Sequence, residues 1–161
     1  MTSLTAGEEI YLSGEVYTAR DAAHKRIIES IEKKEKLPFE IKGSAVYYAG
    51  PTPRIGDEII GSCGPTTSAR MDDYTPALLG LGLRVMIGKG QRSAEVNKSI
   101  AKNKAVYLVA VGGAAALIKS CVVKNEEVAY EDLGCEAIHR LTFNDLPLLV
   151  AIDCLGRNIF E

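Results

Sequence analysis

The chain has 161 residues, enough for one domain with a real core, and its 47% hydrophobic and 25% charged content is that of a folded globular protein. A formal net charge of −2 and the absence of Trp leave neither a basic field nor a stacking surface for nucleic acid. The start, Met1 to Glu9, lacks a basic stretch followed by an apolar run, and Ala105 to Ile118 is too short for a bilayer and is broken by Gly112-Gly113, so a cytoplasmic protein is expected.

Glu9 to Ala19 alternates and reads as one or two strands around Ser13-Gly14. Asp21 is placed as the N-cap of a helix from Ala22 to about Lys34, on the spacing of Ala23, Ile27 and Ile31, with Leu37-Pro38 ending it. Ser44 to Ala49 is a strand closed by the rigid Gly50-Pro51-Thr52-Pro53 loop. Glu58 to Ser62 reads as a short strand feeding the Gly64-Pro65 turn, and Asp73 to Leu81 as a helix. A strand at Val85 to Ile87, a Ser93-capped helix to about Asn103 and a buried strand at Ala105 to Val111 follow. Next come a small-residue helix from Gly113 to Lys119, a strand-like Val122 to Tyr130 and a short helix at Cys135 to Leu141. Leu148 to Asp153 is a strand, and Arg157 to Phe160 a last one. Strands alternating with helices predict an α/β domain with a mixed or parallel sheet, and the extended N-terminal section predicts a further β layer.

Chemistry concentrates in Gly64-Pro65-Thr66-Thr67-Ser68-Ala69-Arg70-Met71-Asp72, which combines a tight turn, hydroxyls, an arginine and an acid. Successive amides and a guanidinium fork there suit a carboxylate, whereas a capped turn with Arg70 paired to Asp72 or Asp73 is the alternative. Arg20 follows a strand and either faces a ligand or pairs with Asp21. His24, on the same helix, carries no assigned chemistry. Lys89, between Gly88 and Gly90, is either a fixed cation or a flexible surface lysine, and the five residues between Gly82 and Gly88 break the nucleotide-loop spacing. Gly112-Gly113-Ala114-Ala115-Ala116 offers a helix N-terminus to an anion or lets helix and sheet pack closely. The Tyr130-Glu131-Asp132-Leu133-Gly134 patch reads as a cap or interface feature. Cys63, Cys121, Cys135 and Cys154 have no metal-ligand spacing and read as buried apolar thiols. No nucleophile–base pair stands out, so missing chemistry is expected on a partner.

These motifs, in this order from about Gly14 onward, resemble the β subunit, or C-terminal domain, of class I iron–sulfur fumarate hydratases and the related L-tartrate dehydratases. The resemblance implies a swivelling β/β/α domain. It implies an α subunit that holds a [4Fe–4S] cluster through three cysteines of its own, none from this chain, with one iron open as Lewis acid. The active site would form between subunits in an α2β2 assembly. On that resemblance Arg20 and Arg70 bind substrate, Lys89 binds substrate and takes part in catalysis, and Thr66 is the catalytic threonine; Gly64, which lets the backbone approach a ligand, is read from the turn itself as a further substrate contact. The expected reaction is reversible hydration of fumarate to L-malate, with L-tartrate or a methylated dicarboxylate as the alternative. A stand-alone carboxylate-binding domain without catalysis is the reading from another class.

Overall fold

The computed structural model describes residues 3–110 and 115–161. Six strands, β1 (Glu9–Thr18), β2 (Ala45–Tyr47), β3 (Val85–Gly88), β4 (Val106–Ala110), β5 (Val122–Ala129) and β6 (Ile138–Ile152), form one sheet. Among the described residues four helices accompany it: α1 (Asp21–Glu32), α2 (Thr75–Gly80), α3 (Ala94–Asn103) and α4 (Ala115–Cys121). Two 3-10 segments, Ser68–Met71 and Glu131–Glu136, complete the order.

β1, β2, β3 and β4 are joined in parallel. β6 pairs antiparallel with β4, β5 and β1, so the sheet closes on itself through β1 and β6. Two apolar clusters lie in this frame. One holds Ala23, Ile27, Leu78, Leu79, Val96 and Ile100 of the helices against Val46, Met86 and Tyr107 of the sheet. The other packs Val16, Leu141, Phe143 and Leu148 of the antiparallel strands against Tyr47, Ile87, Val106 and Leu108. Together they make the mixed α/β, sheet-centred fold with its additional β layer.

β1 is a single strand whose register with β6 shifts between Leu12 and Gly14. Gly14 there has φ +129, and the irregularity is pinned by Ser13, whose hydroxyl donates to Asp145 Oδ1 (3.3 Å) and accepts from the Asp145 amide (2.9 Å). The expected helix at Cys135 to Leu141 is instead the end of a 3-10 segment followed by β6. β6 begins ten residues before the expected strand at Leu148 and runs through Asn144-Asp145-Leu146-Pro147, because the bulge and its pairing with β1 accommodate residues poorly suited to a strand. The strand expected at Glu58 to Ser62 does not form; Ser62 instead donates its amide to Thr52 Oγ1 and its carbonyl accepts from the Thr52 amide. Arg157 to Phe160 contributes only an isolated bridge between Ile152 and Asn158. The helix expected from Asp73 begins at Thr75.

α1 ends at Glu32, ahead of Lys34 in the left-handed region, and earlier than Leu37-Pro38. Asp21 is its first residue and not its cap; Arg20 holds the cap position in extended backbone with no side-chain cap bond. The capping carboxylate comes from across the chain, where Glu136 Oε1 accepts the Ala22 amide at 3.3 Å. α3 is capped as expected, with Ser93 Oγ accepting the Val96 amide. No helix among the described residues is long and apolar enough to cross a membrane.

Candidate functional site

Arg20, Gly50 and Lys89 follow β1, β2 and β3 in turn, and because these strands are parallel the three lie at the same, carboxyl, edge of the sheet. The Gly64–Asp72 segment lies across that edge. Pro65 bridges Ala49, Thr67 bridges Lys89, and the Thr66 amide donates to the Tyr48 carbonyl at 2.7 Å. Arg70 then reaches back to the start of α1, where its Nε donates to Asp21 Oδ1 at 2.9 Å.

Asp21 therefore stands between the two arginines. Its other oxygen is 3.9 Å from the Arg20 guanidinium, and Arg20 Nε is 3.9 Å from Glu136 Oε1. Those distances are Coulombic contacts, too long for hydrogen bonds. Arg20 Nε and Asp21 Oδ2 accordingly remain buried without a hydrogen-bond partner among the described residues. Such atoms in a folded protein call for a ligand, a water or a function. The Arg20 side chain lies close over Gly50, where a Cβ would meet it at 3.0 Å and the Cys135 carbonyl at 2.6 Å.

The alternative pairing of Arg70 with Asp72 or Asp73 does not occur. Asp72 is taken by Arg92, a residue that sequence reasoning passed over. The Arg92 side chain is fully buried: Nε donates to Asp72 Oδ1 (2.6 Å), Nη2 to Thr75 Oγ1 (2.7 Å) and Nη1 to Tyr48 Oη (3.2 Å). Burial works against its charge, but Tyr48 and Asp72 outweigh burial and its pKa is raised overall. Only the Asp72-to-Arg92 spacing across a helix and a strand could have hinted at this pair, and such spacing has no local signature.

Lys89 is exposed and has no ion pair among the described residues. Thr66 is half-buried, and no hydrogen bond of its hydroxyl is found among the described residues. Gly64 does not need a glycine's backbone freedom; a Cβ there would meet only Ala115, at 3.6 Å. The Gly112-Gly113-Ala114 part of the small-residue motif lies outside the described residues. The tyrosine–acid patch is a clasp on α1: Asp132 accepts two 2.7 Å bonds from Arg26, whose guanidinium lies 4.8 Å from the Tyr130 ring centre.

His24 belongs to the core beneath this edge, 5.5 Å from Tyr48 and 5.9 Å from Tyr74 between ring centres. Its Nδ1 donates to the Arg20 carbonyl at 2.9 Å, since a carbonyl only accepts. Burial lowers its pKa to about 4, partly offset by that hydrogen bond. Between about pH 4 and 6.5 the unfolded chain binds a proton at His24 that the folded chain refuses, so stability falls as pH drops through that window. Chemical denaturation at pH 7 and pH 5 is expected to show a loss of about 2 kcal/mol from this residue. His24→Gln should flatten the dependence by that amount; an unchanged slope would place the titration elsewhere.

Cys63, Cys121 and Cys154 are buried as expected, whereas Cys135 is exposed, because it lies in the 3-10 segment that covers the edge of α1 and not in a strand. Among the described residues no three His, Cys, Asp or Glu side chains come together as a metal-binding group.

The fold and this edge define an α/β domain that displays arginine, lysine and hydroxyl side chains on loops after parallel strands. The chain belongs to the fumarase C-terminus family, whose model matches residues 1–161. It is 41% identical, over 98% of its length and 84% of the relative's, to a Methanocaldococcus jannaschii protein provisionally named L(+)-tartrate dehydratase subunit beta. It is 33% identical to the L(+)-tartrate dehydratase subunit beta of Escherichia coli, over 99% of this chain and 80% of the relative. It is 38% identical to the anaerobic class I fumarate hydratase of Escherichia coli over 93% of this chain, which spans 28% of that longer protein.

Proposed function

We propose that this chain is the β subunit of a hydro-lyase acting on a four-carbon dicarboxylate, with fumarate and L-malate as the reacting pair. The observation that carries this reading is the convergence of Arg20 and Arg70 on Asp21 at the carboxyl edge of the parallel strands, beside the loop that bears Lys89. In α/β domains, open or closed, ligands gather at the carboxyl ends of the parallel strands. Arg70 uses only its Nε on Asp21, so the rest of its fork is available to a substrate carboxylate.

Removing a proton from carbon beside a carboxylate builds further negative charge on that carboxylate. Cations set where the charge grows bind the transition state more strongly than the ground state. Arg20, Arg70 and Lys89 are the residues of this chain suited to that work, with Gly64 beside them in the binding loop. Thr66 is proposed as the proton-transferring hydroxyl; an alkoxide is too basic to be populated at neutral pH, so it works only where a neighbour, such as Lys89 or a partner group, draws its proton. The [4Fe–4S] cluster is assigned to an α subunit, in keeping with the relatives named as β subunits.

L-tartrate is the second reading. It is favoured by the relatives whose length this chain nearly spans, both named for tartrate dehydratase. The test is anaerobic reconstitution with a cluster-bearing α subunit of this family. Turnover of fumarate only in the mixture is the expected result. Turnover of L-tartrate alone would move the substrate, and tight binding of fumarate by the isolated chain with no partner captured would replace catalysis by a binding module.

A further inference from the structure

The Lys89 loop is held from beneath by two buried hydroxyls. The Lys89 amide donates to Ser68 Oγ at 3.0 Å, and the Ser68 amide donates to the Lys89 carbonyl at 3.0 Å. Tyr107 Oη lies 2.8 Å from Ser68 Oγ and 2.8 Å from the Gly90 carbonyl. A carbonyl only accepts, so the phenol proton goes to Gly90. The Ser68 hydroxyl proton then goes to Tyr107 Oη, which leaves Ser68 Oγ to accept from Lys89. Four hydrogen bonds thus close around one exposed residue.

The frame of this ring is buried and closely packed. Ser68 and Tyr107 are fully buried, and the Arg92 guanidinium lies 5.0 Å from the Tyr107 ring centre. Burial raises the pKa of the phenol, and the Ser68 bond only partly opposes this, so the phenol keeps its proton as a donor at neutral pH. At Gly88 a Cβ would fall 2.0 Å from Ser68 Oγ, so the strand end can approach the serine only as glycine. The Lys89 side chain itself has no ion pair among the described residues, so what the fold fixes is the point from which its stem starts.

We propose that Ser68 and Tyr107 are positioning residues that aim Lys89 at the substrate carboxylate. This rests on the function proposed above. An ammonium on a flexible stem holds a carboxylate well only when the stem starts from a fixed point, and a small displacement of a charge at a reacting site is costly.

The test is a double-mutant cycle on the dissociation constant of succinate, measured by calorimetry on the chain assembled with its cluster-bearing partner. Tyr107→Phe keeps the ring under Arg92 and removes only the hydroxyl. It is expected to weaken succinate binding roughly tenfold in the wild-type background and less than about twofold beside Lys89→Ala. Ser68→Ala, as the second variant, should show the same pattern. Equal factors in both backgrounds overturn the proposal and leave Tyr107 a purely structural role. A Lys89→Ala variant that binds succinate as the wild type does removes Lys89 from the proposed function, and the positioning role with it. Absence of succinate binding by the wild-type assembly overturns both.

Discussion

Arg70→Ala and Arg20→Ala are each expected to lower kcat/KM of the assembled enzyme by about 30- to 5,000-fold. The range follows from the ~2–5 kcal/mol lost when a charged partner is withdrawn from a desolvated carboxylate, at ~1.4 kcal/mol per decade. The isolated chain should barely notice the loss of Arg70. Its side chain is 52% exposed and its pair with Asp21 is of the surface kind, worth under about 1 kcal/mol. Activity and stability therefore separate, which distinguishes a substrate clamp from a folding contact. The two arginines share Asp21, so their effects should not add: without Arg70, Asp21 is left to Arg20 alone, and a paired Arg20 binds substrate less well. Arg70→Lys should restore only part of the loss, because an ammonium cannot reproduce the planar fork. Wild-type turnover in both alanine variants would remove the clamp from the reaction.

Asp72→Ala is expected to destabilise the fold by about 3–5 kcal/mol, the cost of leaving a buried charge unpaired. The Arg92 side chain is fully buried, and Asp72 is the only carboxylate paired with it among the described residues. Asp72 Oδ2 also accepts the Ser93 amide at 2.7 Å, next to the start of α3, so a second donor would lose its partner. A domain of this size has about 5–15 kcal/mol in all, so the variant should approach the edge of folding at 37 °C. The adjacent Asp73 is exposed and has no ion pair among the described residues, so Asp73→Ala should stay within ~0.5 kcal/mol. Urea unfolding of the two variants side by side is the measurement. Similar stability in both would mean that Arg92 tolerates its burial without Asp72. Arg92→Met should cost less than Asp72→Ala, because it removes the charge together with the need to pair it.

Arg92 also shows why the candidate site was only partly legible. The Gly64–Asp72 turn, the Gly88-Lys89-Gly90 step and Arg20 after a strand are local patterns, and the fold brings all three to one edge. Asp21 was read from its position as a cap. Its carboxylate has stronger company in two guanidinium groups, and a long-range acid, Glu136, takes over the cap. Tyr107 sat inside an apolar strand, where a phenol looks like any other core aromatic until its hydroxyl is seen to meet Ser68 and Gly90.

Local pattern alone located β1 to β5 and the four helices, and showed which loops after strands carry cations, because backbone propensity and apolar period act over a few residues. The ordered motifs also carried the family. Only the tertiary structure decided the length of β6, the closure of the sheet through β1 and β6, and the owner of each charge. A strand containing Asn144, Asp145 and Pro147 is stable only where it can bulge against a paired neighbour, and a carboxylate chooses among guanidinium groups by distance and burial in space, neither of which is written in neighbouring residues.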